Sequence, residues 1–153
     1  MSGREDRLRP GPTGEILPRG GTELGPSAKQ GDKVIGLDTH IINVPSPGGP
    51  VPTPMPMPFN GMLTGNLEKS VLIENKPAAT KGSTADNTPP HIPTGGPFQK
   101  NPSNKATIKM GSRKVLFANK EAARLGDPAD TCNDPADLPN GTVIGTGSVI
   151  IGG

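Results

Sequence analysis

The sequence has no tryptophan and no tyrosine, and it holds only three phenylalanines (Phe59, Phe98, Phe117), two histidines and one cysteine. Each scarcity excludes something. Without large aromatics a core must be built from Val, Ile, Leu, Met and Ala. Each such side chain returns about 1.5–3 kcal/mol on burial, against a backbone ordering cost of about 1–2 kcal/mol per residue. A core this thin calls for a staple, and a single cysteine, Cys132, cannot supply one as an internal disulfide. No apolar run reaches the length of a signal peptide or a membrane span, which places the protein in the cytoplasm on assembly. An excess of one charge is missing too. Sixteen Lys and Arg against fourteen Asp and Glu leave a net charge of +2, and the basic residues are scattered without aromatic neighbours, so nucleic acid is not an expected partner.

What the chain has in quantity is 22 Gly and 20 Pro in 153 residues, which nearly excludes long helices and also fits disorder. Residues 1–30 contain six Gly and four Pro without hydrophobic periodicity and read as an extended or flexible N-terminal arm, leaving 31–153 as the folded domain. Inside that domain, 44–63 is a Pro-rich insertion whose spacing forces extended, polyproline-like geometry. Proline offers no ladder donor, so this ribbon is excluded as a central strand. Its Val51, Met55, Met57 and Phe59 suit packing against a neighbouring sheet, or contact with a membrane.

The chain also repeats itself at an offset of 44 residues. Residues 71–86 (VLIENKPAATKGSTAD) align with 115–130 (VLFANKEAARLGDPAD), with nine of sixteen positions identical and no gap. Each copy reads as a strand (Val71 to Ile73, Val115 to Phe117), a two-residue Asn-Lys turn and an Ala-containing segment ending at Gly82 or Gly126. A further echo, Ile108 to Ser112 before Val115 and Ile144 to Ser148 before Ile151, gives a last copy that stops at Gly152-Gly153. Repetition of a hairpin that cannot bury its own face implies association of the copies about an axis, and hence an all-β fold.

His40, His91 and Cys132 follow the repeat loosely, each lying a few residues beyond a glycine. If the arms converge, these donors meet as a Cys-His-His set suited to Zn²⁺, with Asp38, Asp127, Asp130, Asp134 or a water as the fourth ligand. Their separations match no local zinc-finger spacing, and a plainer reading makes His91 a surface loop residue and Cys132 a small buried hydrophobe. Catalysis is not expected. Asp127, Asp130 and Asp134 around Cys132 would raise its pKa, and the phosphate-loop likeness of Gly141 to Ser148 lacks both the Lys and a following helix.

Residues 77–83 (PAATKGS) and 121–127 (EAARLGD) resemble the Pro-Ala-Ala-Arg (PAAR) motif. Gly111-Ser112 with Val115 resembles the Gly-Ser-x-x-Val segment of the same family, and 45–54 (PSPGGPVPTP) resembles the Pro-rich segment of its PAAR-like subgroup. Each copy departs once, at Thr80 for the Arg and Glu121 for the Pro. The resemblance spans residues 31 to 153. It implies a small cone of repeated hairpins with pseudo-threefold symmetry, Pro/Gly-rich loops and a zinc ion at the apex. It also implies a structural role, capping the trimeric β-helical spike of a contractile injection system such as a type VI secretion machine or a phage-tail-like particle. Relatives hold zinc through three histidines and a cysteine. His40, His91 and Cys132 carry over, and the remaining histidine has no counterpart here. A bare tip of this kind would be exported on firing and touch the target membrane briefly; in the alternative role of adaptor, the arm and ribbon would recruit effector cargo.

Overall fold

A computed structural model describes residues 24–153. Among these residues there are twelve strands and no helix. Six strands close into an antiparallel barrel in the order β10 (Pro128–Thr131), β11 (Leu138–Ile144), β2 (Lys33–Val44), β3 (Val51–Gly65), β6 (Thr84–Asn87), β7 (Lys105–Ile108). The other six form three two-stranded sheets: β4 (Glu68–Ile73) with β5 (Lys76–Ala78), β8 (Leu116–Phe117) with β9 (Lys120–Glu121), and β12 (Ile150–Ile151) with β1 (Gly25–Pro26).

These elements follow one plan three times. Pro77 pairs with Leu72, Glu121 with Leu116 and Pro26 with Ile150. Each pair leads into an alanine, and the three alanines bond in a cycle: Ala28 N–H donates to the Ala123 carbonyl (2.8 Å), Ala79 N–H to Ala28 (2.9 Å) and Ala123 N–H to Ala79 (3.0 Å). A corner follows each alanine. Lys29 N–H donates to Asp32 Oδ2 (2.9 Å), Thr80 N–H to Ser83 Oγ (2.9 Å) and Arg124 N–H to Asp127 Oδ2 (2.7 Å). The glycine inside each corner has a left-handed φ, 90° at Gly31, 92° at Gly82 and 95° at Gly126, where any side chain would be strained. The last copy is therefore not truncated: β1 supplies the half that the sequence places at the other end of the chain. Residues 24–30 accordingly belong to the body, with Ser27 and Ala28 fully buried. Residues 1–23, the rest of the expected arm, lie outside the described residues.

The core is small because the strands approach closely. Ala28, Ala79 and Ala123 are buried at the ring, in one cluster with the cross-strand pairs Leu63–Ala85, Ile108–Ala129 and Val143–Val34. Two details of the expected hairpins shift. The turns are Glu74-Asn75 (φ 52° and 65°) and Ala118-Asn119 (φ 51° and 66°), because Lys76 and Lys120 already pair with Ile73 and Phe117. Two consecutive left-handed residues make the primed turn that matches strand twist.

The Pro-rich ribbon is a strand after all. Val51 to Met62 of β3 pair residue by residue with Val44 to Lys33 of β2, while β6 covers the other edge of β3 only over Gly61–Gly65. Pro52, Pro54, Pro56 and Pro58 recur at the strand period of two, so every missing N–H falls on the uncovered edge. The rule against central prolines is kept, since the proline half is an edge.

Candidate metal centre

Strand alternation places Asp38 and His40 on the inner face of β2, both essentially unexposed. His91 comes from the segment between β6 and β7, and Cys132 from the end of β10. One donor atom from each of Asp38, His40, His91 and Cys132 lies within 4.8 Å of all the others. Asp38 Oδ2 stands 2.8 Å from His91 Nε2 and 3.3 Å from Cys132 Sγ, which lies 3.7 Å from His40 Nε2. Bonds of about 2.0–2.3 Å in a tetrahedron separate ligand atoms by about 3.3–3.8 Å; the Asp38–Cys132 and Cys132–His40 separations fall in that range, and the 2.8 Å Asp38–His91 hydrogen bond would have to open to admit an ion. The structure thus gathers all three of the expected donors. It selects Asp38 from the candidate fourth ligands. Asp127 pairs with Arg124 at 3.0 Å, Asp130 with Lys109 at 3.3 Å, and Asp134 stands behind His40.

The electrostatics fit a site that needs a cation. Burial pushes the Cys132 thiol up to about 11, with the Asp38 carboxylate adding to the effect, while backbone N–H groups of Asn104 and Lys105 pull the other way. Burial also holds the His40 pKa below its ordinary value, against the opposing pull of Asp134, so His40 is kept as the neutral imidazole that binds metals. A carboxylate wholly removed from water beside a thiol and two imidazoles is costly unless compensated. A divalent ion would compensate it and convert the thiol to the ligating thiolate. A pocket of about 70 Å³ bordered by His40, Lys100 to Ser103 and Cys132 to Asp134 reaches the cluster from one side.

Residues that the sequence did not single out hold the donors in place. Asn133 Nδ2 stands 3.4 Å from Asp38 Oδ1, and Asn133 Oδ1 accepts from Thr39 N–H at 2.8 Å. Asn87 Oδ1 accepts from Asn60 N–H at 2.8 Å, which turns its amide nitrogen toward His91 Nδ1 at 3.3 Å. The run Cys132-Asn133-Asp134 is the one signal that could have found part of this shell, because a metal ligand followed by two polar residues has partners to serve. No family model and no curated protein matches this chain.

Proposed function

We propose that this chain is a structural tip protein of the PAAR-like kind. In this reading it caps the trimeric β-helical spike of a contractile injection system and carries a zinc ion at its point. The observation that carries the reading is the cyclic ring of Ala28, Ala79 and Ala123, surrounded by three corresponding hairpins. Each hairpin exposes an aliphatic residue at the same register: Leu72 (60% exposed), Leu116 (52%) and Ile150 (54%). Three matched apolar contacts around one centre suit a partner with three equal edges. The donors lie beyond the strands that leave this ring, with Asp38 about 20 Å of strand past the Asp32 corner. A metal there would cross-link β2, the 88–104 segment and the end of β10, and contribute on the order of 10 kcal/mol where the core is thinnest. The role is mechanical.

Two measurements test this. Elemental analysis should find one zinc per chain, lost in His40→Ala and Cys132→Ala together with thermal stability. Mixed with a trimeric β-helical spike, the chain should bind one per three spike subunits, and Leu72→Asp with Leu116→Asp should abolish the complex. A zinc-free wild-type protein, or binding of three chains per trimer, overturns the reading.

A further inference from the structure

His40 is held at both ends of its ring, and the outer hold is not a ligand. Its Nε2 faces Cys132 Sγ. Its Nδ1 is fully buried and forms no hydrogen bond, yet the carboxylate oxygen Asp134 Oδ2 stands 3.6 Å away. At that distance the contact is electrostatic and sits one small shift from a hydrogen bond. Asp134 is not there by accident of a loose loop. Its N–H donates to the Thr39 carbonyl at 2.9 Å and its Oδ2 accepts from Ile41 N–H at 2.8 Å, so it is pinned to β2 on both sides of His40. Its side chain is 5% exposed.

The other imidazole is treated differently. Asn87 turns an amide nitrogen toward His91 Nδ1, and His91 Nε2 meets Asp38 at 2.8 Å, the arrangement of a hydrogen-bonded His-Asp pair. An acceptor behind Nδ1 of His40 favours the tautomer whose Nε2 is free to ligate, whereas the donor behind Nδ1 of His91 favours a proton on Nε2, shared with Asp38, that must leave Nε2 before His91 can take the ion.

We infer that Asp134 is a positioning residue for the metal centre. It holds the proton of His40 on Nδ1 and thereby aims the Nε2 lone pair at the ion shared with Asp38, His91 and Cys132. The inference rests on the metal reading above and deepens it. Cys132-Asn133-Asp134 then acts as one unit in which Cys132 ligates, Asn133 steadies Asp38 and Asp134 steadies His40. Outer-shell carboxylates of this kind change metal affinity by about 10–100-fold.

The test uses the full chain and zinc alone. Competition with a chromophoric chelator should show Asp134→Asn and Asp134→Ala binding zinc about 10–100-fold more weakly than wild type, with the β-sheet circular dichroism unchanged. The cobalt-substituted variants should keep the thiolate-to-metal charge-transfer band, because Cys132 is untouched. In the unaltered, zinc-loaded protein, long-range ¹H–¹⁵N spectra of labelled histidine should show His40 protonated at Nδ1 and metal-bound at Nε2. That measurement decides the matter even if the variants fail to fold. Variants that bind zinc as tightly as wild type, or ligation of His40 through Nδ1, overturn the role of Asp134 alone. A wild-type chain that takes up no zinc overturns the metal reading and this inference with it.

Discussion

The two ends of the barrel are built on opposite principles. At the ring end, one hairpin, one alanine and one corner recur three times, and the bonds are mostly main chain to main chain. At the far end three hairpins recur, but their lengths and connecting segments differ. β2 and β3 run on as a long hairpin, β6 and β7 are joined by 88–104, and β10 and β11 by 132–137. The charges divide the same way. The ring corners bury Lys29 with Asp32 and Arg124 with Asp127, whereas between Lys33 and Glu68 the ionisable side chains are Asp38 and His40, both turned inward. Repetition stabilises one end through geometry that any three similar segments can satisfy. The other end depends on four particular side chains meeting at a point.

The largest expected effect separates the two ends directly. Under the proposed metal reading, a chelator should raise amide exchange in 88–104 and 132–137 by orders of magnitude while β4–β5 and β8–β9 stay protected, as followed by hydrogen-exchange mass spectrometry. Uniform loosening would show that the ends are not independent. Within the ring, the three corners should differ from one another. Asp127→Ala removes the carboxylate from a buried Arg124 and should cost about 3–5 kcal/mol in denaturant unfolding. Ser83→Ala, which removes a neutral cap at the matching position, should cost about 1 kcal/mol. Equal costs would mean that the corner fold and not the ion pair sets stability there.

A further effect is a pH slope confined to the far end. The folded thiol of Cys132 is raised to about 11 from an ordinary 9.0, so between these values the unfolded chain holds fewer protons than the folded one. Metal-free stability should therefore be fully present below pH 9 and fall as pH rises toward 11. Cys132→Ser should flatten that slope, and so should added zinc under the proposed reading, in which the thiolate is its ligand. A slope that survives both changes would assign it to other groups.

Much of the ring was legible in the sequence and some of it was hidden by chain order. The copies at 71–86 and 115–130 align at one constant offset, so sliding the chain against itself reveals them. The third copy does not align, because Ala28 and Ala79 are 51 residues apart whereas Ala79 and Ala123 are 44 apart, and its other strand is Ile150–Ile151. The arm boundary at residue 30 consequently cuts through the motif PSAKQGD at 26–32. The prolines of β3 misled for a related reason. Counting them argues against a central strand, and their period of two places every lost donor on an edge that has no use for it, so the segment is a strand with a free edge. At the far end the three His and Cys donors could be named, since soft ligands are rare here. Asp38 could not be chosen among the carboxylates, and the outer shell of Asn87, Asn133 and Asp134 depends on loop paths that no periodicity encodes.

Pairing of Gly25 with Ile151 and Pro26 with Ile150 brings the two ends of the described chain together in a two-stranded hairpin like β4–β5 and β8–β9. Joining Gly153 to Leu24 by a short linker and opening the backbone between Glu74 and Asn75 would move the ends to the next hairpin and leave every strand with its present neighbour. A passenger segment attached at Gly153 would therefore emerge beside the β12–β1 hairpin, next to Ile150, and would mark one of the three hairpins.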